Sequence, residues 1–309
     1  MNRLAVCICT YNRPAGLAAV LGSLARQRLS RLTEGQITVI VLDNASDGSA
    51  RDACRAALDG GRFAWRYVHE PRKGLAFARN ACLAAAKAEG AAAILFIDDD
   101  EFAETGWLEA MAAALETSGV AAAVGPVLPL FHAPPPAWLP LYRFATAVPA
   151  PGGFTEEGYT GNAIIAMAAV EAAGLRFDER FNDSGGEDTM FFAELRRRGF
   201  RIAWAEDARV YETIPAPRMR AVWLLRRWYR TGTVEARLCP LPPRRARLVN
   251  LGKGLMRIAA GAIRSTGALV HLARRRPDRF IDSFFTLCRG VGYVNGALGG
   301  TYAEYTRAR

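Results

Sequence analysis

The chain has 309 residues, 51% hydrophobic and only 23% charged, which excludes a disordered or fibrous protein and provides for one large domain or two small ones. Its net charge of +10 is uneven: residues 214–309 hold 19 Lys and Arg against 4 Asp and Glu, and residues 1–213 hold 21 against 26. A break near residue 213 follows, with a slightly acidic front (1–213) and a basic, apolar back (214–309) suited to an anionic membrane surface or anionic substrate.

In chain order, Leu4 to Thr10 is a short apolar run closed by polar residues and Pro14, as in a buried strand, and Ala15 to Arg28 continues as a helix. Gln36 to Leu42 is a second strand, Ala50 to Leu58 a helix, and Ala64 to His69 a third strand. The alanine-rich stretch Gly74 to Ala88 is helical. Ala91 to Ile97 is a fourth strand, Trp107 to Leu115 a helix and Ala121 to Val127 a fifth strand. This alternation predicts an α/β fold with a mostly parallel sheet flanked by helices, whose ligands bind beyond the carboxyl ends of the strands.

Leu128 to Gly158, with Pro134-Pro135-Pro136, Pro149-Ala150-Pro151-Gly152-Gly153, Trp138 and Phe144, is expected to be a long loop covering a site. Asn162 to Ile165 and Arg201 to Ala205 are short strands, and Glu187 to Arg198 an amphipathic helix. The six cysteines form no CxxC pair and fit buried free thiols in a reducing compartment. No leader-like run or apolar stretch of membrane-spanning length stands out, so cytosolic retention is expected.

Three segments carry chemistry. Asp98-Asp99-Asp100 ends a buried strand, and carboxylates crowded there suit a hard divalent cation, which takes oxygen ligands; a solvated acidic turn is the plainer alternative. Gly185-Gly186-Glu187-Asp188 opens a helix, where a carboxylate either caps the end or takes a proton from an attacking hydroxyl. Arg72-Lys73-Gly74 precedes another helix, an arrangement that can receive phosphate.

These pieces stand in a familiar order. Val6-Cys7-Ile8-Cys9-Thr10-Tyr11-Asn12-Arg13, Val41-Leu42-Asp43-Asn44-Ala45-Ser46-Asp47-Gly48, Lys73-Gly74-Leu75-Ala76 with Arg79-Asn80, Leu95-Phe96-Ile97-Asp98-Asp99-Asp100-Glu101, Gly161-Asn162 and Gly186-Glu187-Asp188 together resemble family-2 glycosyltransferases. The resemblance covers about residues 4 to 212 and is strongest to bacterial succinoglycan-type exopolysaccharide glucosyltransferases. It implies a GT-A (Rossmann-like) fold with a C-terminal helical extension, and a nucleotide-sugar donor, UDP-glucose. Thr10, Tyr11, Arg13 and Asp43 would line the nucleotide pocket, with Asp43 reading the base. Arg72 and Lys73 would lie near the diphosphate, beside Asp98 and Asp99. Asp98 and Asp100, the outer members of the family's DxD motif, would hold Mg2+ or Mn2+, with Glu212 where many relatives have a histidine. Asp188 would be the general base and Glu187 its neighbour. Transfer would then be a single displacement with inversion, onto a saccharide or lipid-linked saccharide. The QxxRW motif of processive synthases is met only by Arg227-Trp228, which favours single-sugar addition.

Over residues 249–275 the sequence predicts a two-faced helix. Lys253, Arg257, Arg264 and Arg275 fall within about 40° of one another on a helical wheel, opposite Leu251, Leu255, Ile258, Ala262 and Leu269. An amphipathic surface on the cytoplasmic face of the inner membrane is the favoured reading, packing on the catalytic domain the alternative, and nucleic acid is disfavoured for want of a motif. Competing functions are a saccharide-binding protein with a degenerate transferase domain and another metal-dependent phosphate-ester enzyme. A dehydrogenase is a poor reading, since no GxGxxG follows the first strand.

Overall fold

The computed structural model describes residues 3–117, 119–146, 153–239 and 242–302. The chain forms two compact units. The first comprises Met1–Pro129, Ala145–Asn182 and Gly186–Glu212; the second comprises Leu130–Phe144, Asp183–Gly185 and Thr213–Arg309.

The first unit begins with β1 (Leu4–Thr10), α1 (Pro14–Ala25), β2 (Ile37–Asp43), α2 (Arg51–Leu58), β3 (Ala64–His69), α3 (Leu75–Ala88) and β4 (Ala93–Asp98). β5 (Glu101–Ala103), α4 (Trp107–Leu115), β6 (Val120–Val124), β7 (Val127–Phe131), β8 (Phe154–Thr155) and β9 (Asn162–Ala166) follow. It closes with α5 (Met167–Ala172), α6 (Glu187–Arg197), β10 (Arg201–Trp204) and β11 (Val210–Ile214). Eight strands form one sheet in the order β3-β2-β1-β4-β9-β6-β10-β8. β3, β2, β1 and β4 run parallel, and β9 enters antiparallel between β4 and β6. A second sheet has the order β5-β11-β7.

Strand alternation explains why β1 is apolar throughout. Leu4, Val6 and Ile8 face Leu17, Val20 and Leu24 of α1, whereas Ala5 and Cys7 face Ala76, Ala78, Cys82 and Ala86 of α3. Both faces are covered, so neither tolerates a polar side chain. All six cysteines are free.

Three expectations change. The strand expected over Ala121 to Val127 is broken at Gly125-Pro126 into β6 and β7: a β-carbon on Gly125 would lie 2.4 Å from the Ala208 carbonyl oxygen, and Asn162 Nδ2 donates to the Pro126 carbonyl at 3.0 Å. β5 is a strand the sequence hid, because three residues directly after an acidic turn carry no alternation signal. Phe144, expected on a covering loop, packs inside the second unit. It is buried, and with half-buried Trp138 joins the second unit's apolar cluster with Leu139, Ile214, Met219, Leu224 and Trp228. The run Pro149 to Gly152 lies outside the described residues.

The second unit contains α7 (Ala221–Arg237), α8 (Pro243–Thr266), α9 (Ala268–Ala273), α10 (Pro277–Asp282) and α11 (Phe285–Ala297). The helix expected over 249–275 is broken at Gly267, and α8 packs on α11 through small residues. A β-carbon on Gly261 would meet the Leu287 nitrogen at 2.4 Å, and one on Gly292 the Tyr229 carbonyl oxygen of α7 at 1.9 Å. Glycines set where the backbones touch, so burial follows them and not the leucines. Arg257, assigned to a basic stripe, covers Tyr293 at 4.5 Å, while Leu255 and Ile263 stay 59% and 73% exposed. Among the described residues no helix is long and apolar enough to cross a membrane.

Candidate active site

The acidic turn between β4 and β5 is fastened by the first strand and helix. Buried Asp99 accepts hydrogen bonds from Thr10 Oγ1 at 2.9 Å and Arg13 Nη1 at 2.8 Å, and the same Arg13 nitrogen reaches Asp100 at 3.0 Å. Asn12 takes a left-handed backbone (φ 53), which asparagine tolerates, at the bend between β1 and α1. Gly16 allows α1 to approach: a β-carbon there would lie 2.1 Å from the Asp99 carbonyl oxygen.

Carboxylates crowd around this turn. Close packing around the Asp98 carboxyl pushes it up to about 6; Arg79 opposes the shift, and the charges of Asp100, Asp99 and Asp188 add to it. Its side chain keeps 42% of its surface open, and that water softens the effect. Glu101 is buried and takes the Asp98 backbone N–H at 2.9 Å. Burial raises its carboxyl well above the ordinary range, and the charges of Asp98, Glu212 and Asp100 raise it further. Glu212 of β11 stands directly opposite Glu101 in the strand register. Among the described residues no three His, Cys, Asp or Glu side chains converge tightly enough to enclose a metal ion by themselves. The set nonetheless fits a hard cation shared with a ligand: every nearby donor is oxygen, and mutual repulsion of the carboxylates would be relieved by positive charge.

The second acidic stretch opens α6 after Gly186, whose φ of 97 suits glycine. Glu187 is fully buried. Its Oε1 receives Arg79 Nη1, and its Oε2 has no hydrogen-bond partner among the described residues. Burial raises the Glu187 carboxyl, Arg79 opposes that, and Asp188 adds to it. Asp188 is half-buried and accepts from the Thr189 backbone N–H at 2.6 Å and the Thr189 hydroxyl at 3.2 Å. Arg79 also stands 3.6 Å from Asp98, so one buried guanidinium serves both acidic stretches. Asp188 acts electrostatically on both Arg79 and Asp98, which places the two stretches on the same side of the sheet.

Arg79 is the residue that reading the sequence for a site passed over. A signal was present: it lies on the helical face of α3 that otherwise buries Ala76, Cys82, Leu83 and Ala86, and an arginine there needs a buried counter-ion.

Other expected residues have other work. Asp43 is fully buried, with Oδ1 accepting from the Ala45 N–H at 2.9 Å and Oδ2 from the Ala50 N–H and Tyr67 hydroxyl, both at 2.8 Å. It fixes the loop after β2 and presents no open oxygen for a base in this conformation. The expected phosphate-receiving end of α3 is filled from within: Asn182 Oδ1 accepts from the Ala76 and Phe77 N–H groups at 2.9 and 3.3 Å, and Asn44 Oδ1 from the Gly74 N–H at 2.9 Å. Arg72 pairs with Glu70 at 2.7 Å and lies over Phe77. Tyr11, 42% exposed, has the Lys73 ammonium 5.2 Å from its ring centre. Thr10, Arg13, Asp98, Asp99, Asp100, Glu101, Glu212, Arg79, Glu187 and Asp188 therefore form one connected charged neighbourhood. Asp43, Arg72 and Lys73 lie outside its hydrogen bonds and ion pairs.

Comparison with known proteins adds four findings. Residues 5–177 match the family described as glycosyl transferase family 2. A succinoglycan biosynthesis protein, ExoM, of Rhizobium meliloti (strain 1021) is 35% identical over 232 residues, covering 75% of this chain and 73% of its own. The mannosyltransferase PcManGT from Pyrobaculum calidifontis, solved in complex with GDP-Man and Mn2+, superposes with a TM-score of 0.58 at 18% identity, covering 96% of this chain and 74% of that one. Residues 1-349 of S. aureus TarS in complex with UDP-GlcNAc superpose with a TM-score of 0.51 at 15% identity, covering 97% and 93%.

Proposed function

This chain belongs to glycosyl transferase family 2, has a GT-A fold and is related to a succinoglycan biosynthesis protein, and from that premise we propose that it moves a hexose, glucose, from a UDP-sugar to a saccharide acceptor with inversion at the anomeric carbon. The observation that carries the reading is the joining of the 98–101 turn to the start of α6 through Arg79. A site for sugar transfer needs one acidic group near the departing diphosphate and another near the incoming alcohol. Asp98 and Glu187, 89 positions apart, share one counter-ion here.

Asp98 and Asp100, with Glu212, would hold Mg2+ or Mn2+, which when bound supplies positive charge against the leaving nucleoside diphosphate. The chain's own groups do the rest. Thr10 and Arg13 hold Asp99, and so fix the direction in which Asp98 and Asp100 leave the strand. Half-buried Asp188 takes the proton from the acceptor hydroxyl as that oxygen attacks the anomeric carbon, and one displacement inverts the centre. Glu187 does not share this role: Arg79 occupies it, and the pair fixes the first turn of α6. Tyr11, exposed at the strand end, offers a ring for a nucleobase to stack on. Asp43 contributes by shaping the loop, and Lys73 and Arg72 lie at the rim. The protein works at the cytoplasmic side of the membrane without a spanning helix among its described residues, and the exposed side chains of α8 supply its apolar contact with the lipid surface. Its acceptor is a lipid-linked saccharide.

The test is a thermal-shift screen of nucleotide sugars with and without Mn2+, followed by transfer assays and NMR assignment of the product anomer. UDP-glucose should raise the melting temperature only with metal, and the product should have the inverted configuration. Asp188→Asn should keep donor binding and lower turnover by about 10²- to 10⁴-fold. Unchanged turnover in that variant would remove Asp188 from the mechanism. Equal activity on simple phosphate esters would remove the transferase reading.

A further inference from the structure

The second unit contains a cavity of about 520 Å³ that lies wholly within its own residues and plays no part in the chemistry above. Arg143, Arg264, Arg274, Arg276, Arg279 and His271 line it, with one carboxylate, Asp282. Arg143 spends its charge on Asp282 at 2.7 Å and stacks over Phe285 at 3.7 Å, which makes it a fixed wall. Arg276 and Arg279 share Asp278, at 3.0 and 3.9 Å. Arg264 meets only the Thr286 hydroxyl, at 3.2 Å, and the Arg274 guanidinium meets no carboxylate among the described residues. Five guanidinium groups therefore surround a space with too few anions to balance them. Self-repulsion of this kind is unfavourable unless an anion enters.

The backbone is shaped to produce this arrangement. Arg275 sits in the left-handed region (φ 55), a conformation unfavourable for a non-glycine residue. The turn is closed by the Arg276 N–H on the His271 carbonyl at 2.8 Å and the Arg275 N–H on the Leu272 carbonyl at 3.0 Å. It reverses the chain between α9 and α10, so that Arg274 and Arg276 both contribute to the lining.

Exposed aliphatic side chains stand close in sequence to the lining residues Arg264, His271 and Arg274. Leu269, Leu272 and Ile263 are 70%, 52% and 73% exposed, and all three belong to α8 or α9. A strongly cationic hollow beside exposed aliphatic side chains matches an amphiphile with a compact, multiply charged head. Forked guanidiniums bind phosphate oxygens in pairs, and a diphosphate presents enough oxygens for several of them at once.

We propose that this cavity binds the diphosphate group of a diphosphate ester. Binding itself does not depend on the transferase reading; only its use as the anchor of a lipid-linked acceptor rests on that reading. The diphosphate is the shared chemistry, and a soluble diphosphate and a lipid diphosphate are separated by experiment.

Calorimetric titrations on the 309-residue chain, without added nucleotide or metal, use inorganic pyrophosphate, farnesyl diphosphate and farnesol. Both diphosphates should bind, farnesol should not, and farnesyl diphosphate should bind about tenfold or more tightly than pyrophosphate if the carrier is a lipid. Equal affinity would keep the site and assign it to a soluble diphosphate. The double variant R274Q/R276Q changes exposed side chains only, so it should fold, retain UDP binding and weaken both diphosphates by about tenfold or more. Binding of neither diphosphate to the natural protein overturns the proposal, as does binding that the double variant leaves unchanged. Sedimentation with phosphatidylglycerol vesicles, unaccompanied by diphosphate binding in solution, would overturn it in favour of a plain charged membrane surface. The site and the transferase fail separately: a protein that transfers sugar but binds no pyrophosphate refutes the cavity alone, and one that binds pyrophosphate through Arg274 and Arg276 but transfers nothing refutes the transferase alone.

Discussion

Replacing Arg79 with methionine would leave Glu187 buried, without its cation, beside Asp188 and Asp98. A carboxyl in that position does not stay charged. It takes up a proton, and that limits the damage: holding a group of ordinary pKa 4.5 neutral at pH 7 costs about 1.36 kcal/mol per pH unit, or about 3.4 kcal/mol. The same operation at pH 5 costs about 0.7 kcal/mol. The sign follows from linkage. The carboxyl is already raised in the natural protein and climbs further once Arg79, which holds it down, is gone, so the variant is least penalised below about pH 4.5 and loses stability as pH rises through its folded value. Arg79→Met should therefore unfold at lower urea than the natural protein, by at most about 3 kcal/mol at pH 7, with most of that gap closed at pH 5. Changing both partners, Arg79→Met with Glu187→Met, removes both buried charges and should recover stability to within about 1 kcal/mol of the natural protein at pH 7. The assay is urea unfolding followed by tryptophan fluorescence at the two pH values. A loss that is equal at pH 5 and pH 7, or a double variant no more stable than the single one, would refute the buried-pair reasoning.

Gly74→Ala combines a φ of 152 with a β-carbon 2.4 Å from Asn182 Oδ1, and should cost about 2 kcal/mol or more by thermal denaturation. Asn182→Ala frees the Ala76 and Phe77 N–H groups and should cost about 1 kcal/mol, and the two changes together should cost less than their sum because they disturb one cap. Asp43→Asn sets an amide NH2 against backbone donors and should lower stability by about 2 kcal/mol, with faster hydrogen exchange over residues 44–50 by mass spectrometry. Gly292→Ala pushes a methyl group to 1.9 Å from the Tyr229 carbonyl oxygen and should destabilise the helical unit by about 1–3 kcal/mol, as read by helical circular dichroism during melting.

Periodicity carried most of the first unit. The runs at β1, β2 and β4 are mostly apolar at odd and even positions alike because both faces are covered, and that pattern is local, so it survives in the sequence. The acidic turn and the start of α6 were visible for the same reason: each is a short contiguous motif. Arg79 was not. Its neighbours in sequence are Ala78 and Asn80, and its meaning comes from Glu187, 108 residues away. Asp43 shows the reverse, since the same motif that marks a ligand-binding aspartate leaves open whether its oxygens face a ligand or the loop, and here Ala45, Ala50 and Tyr67 donate to them.

The amino-acid order by itself determined which segments become strands and helices, where the carboxylates gather, and that the last third is basic and apolar. Those properties depend on residues within a turn or two of each other. Tertiary structure alone decided that one buried guanidinium joins two acidic stretches, that glycines and not leucines make the helix contacts of the second unit, and that Arg143 lines the same cavity as Arg274 and Arg276. Each of these outcomes depends on distances between residues remote along the chain, which packing fixes and no local pattern records.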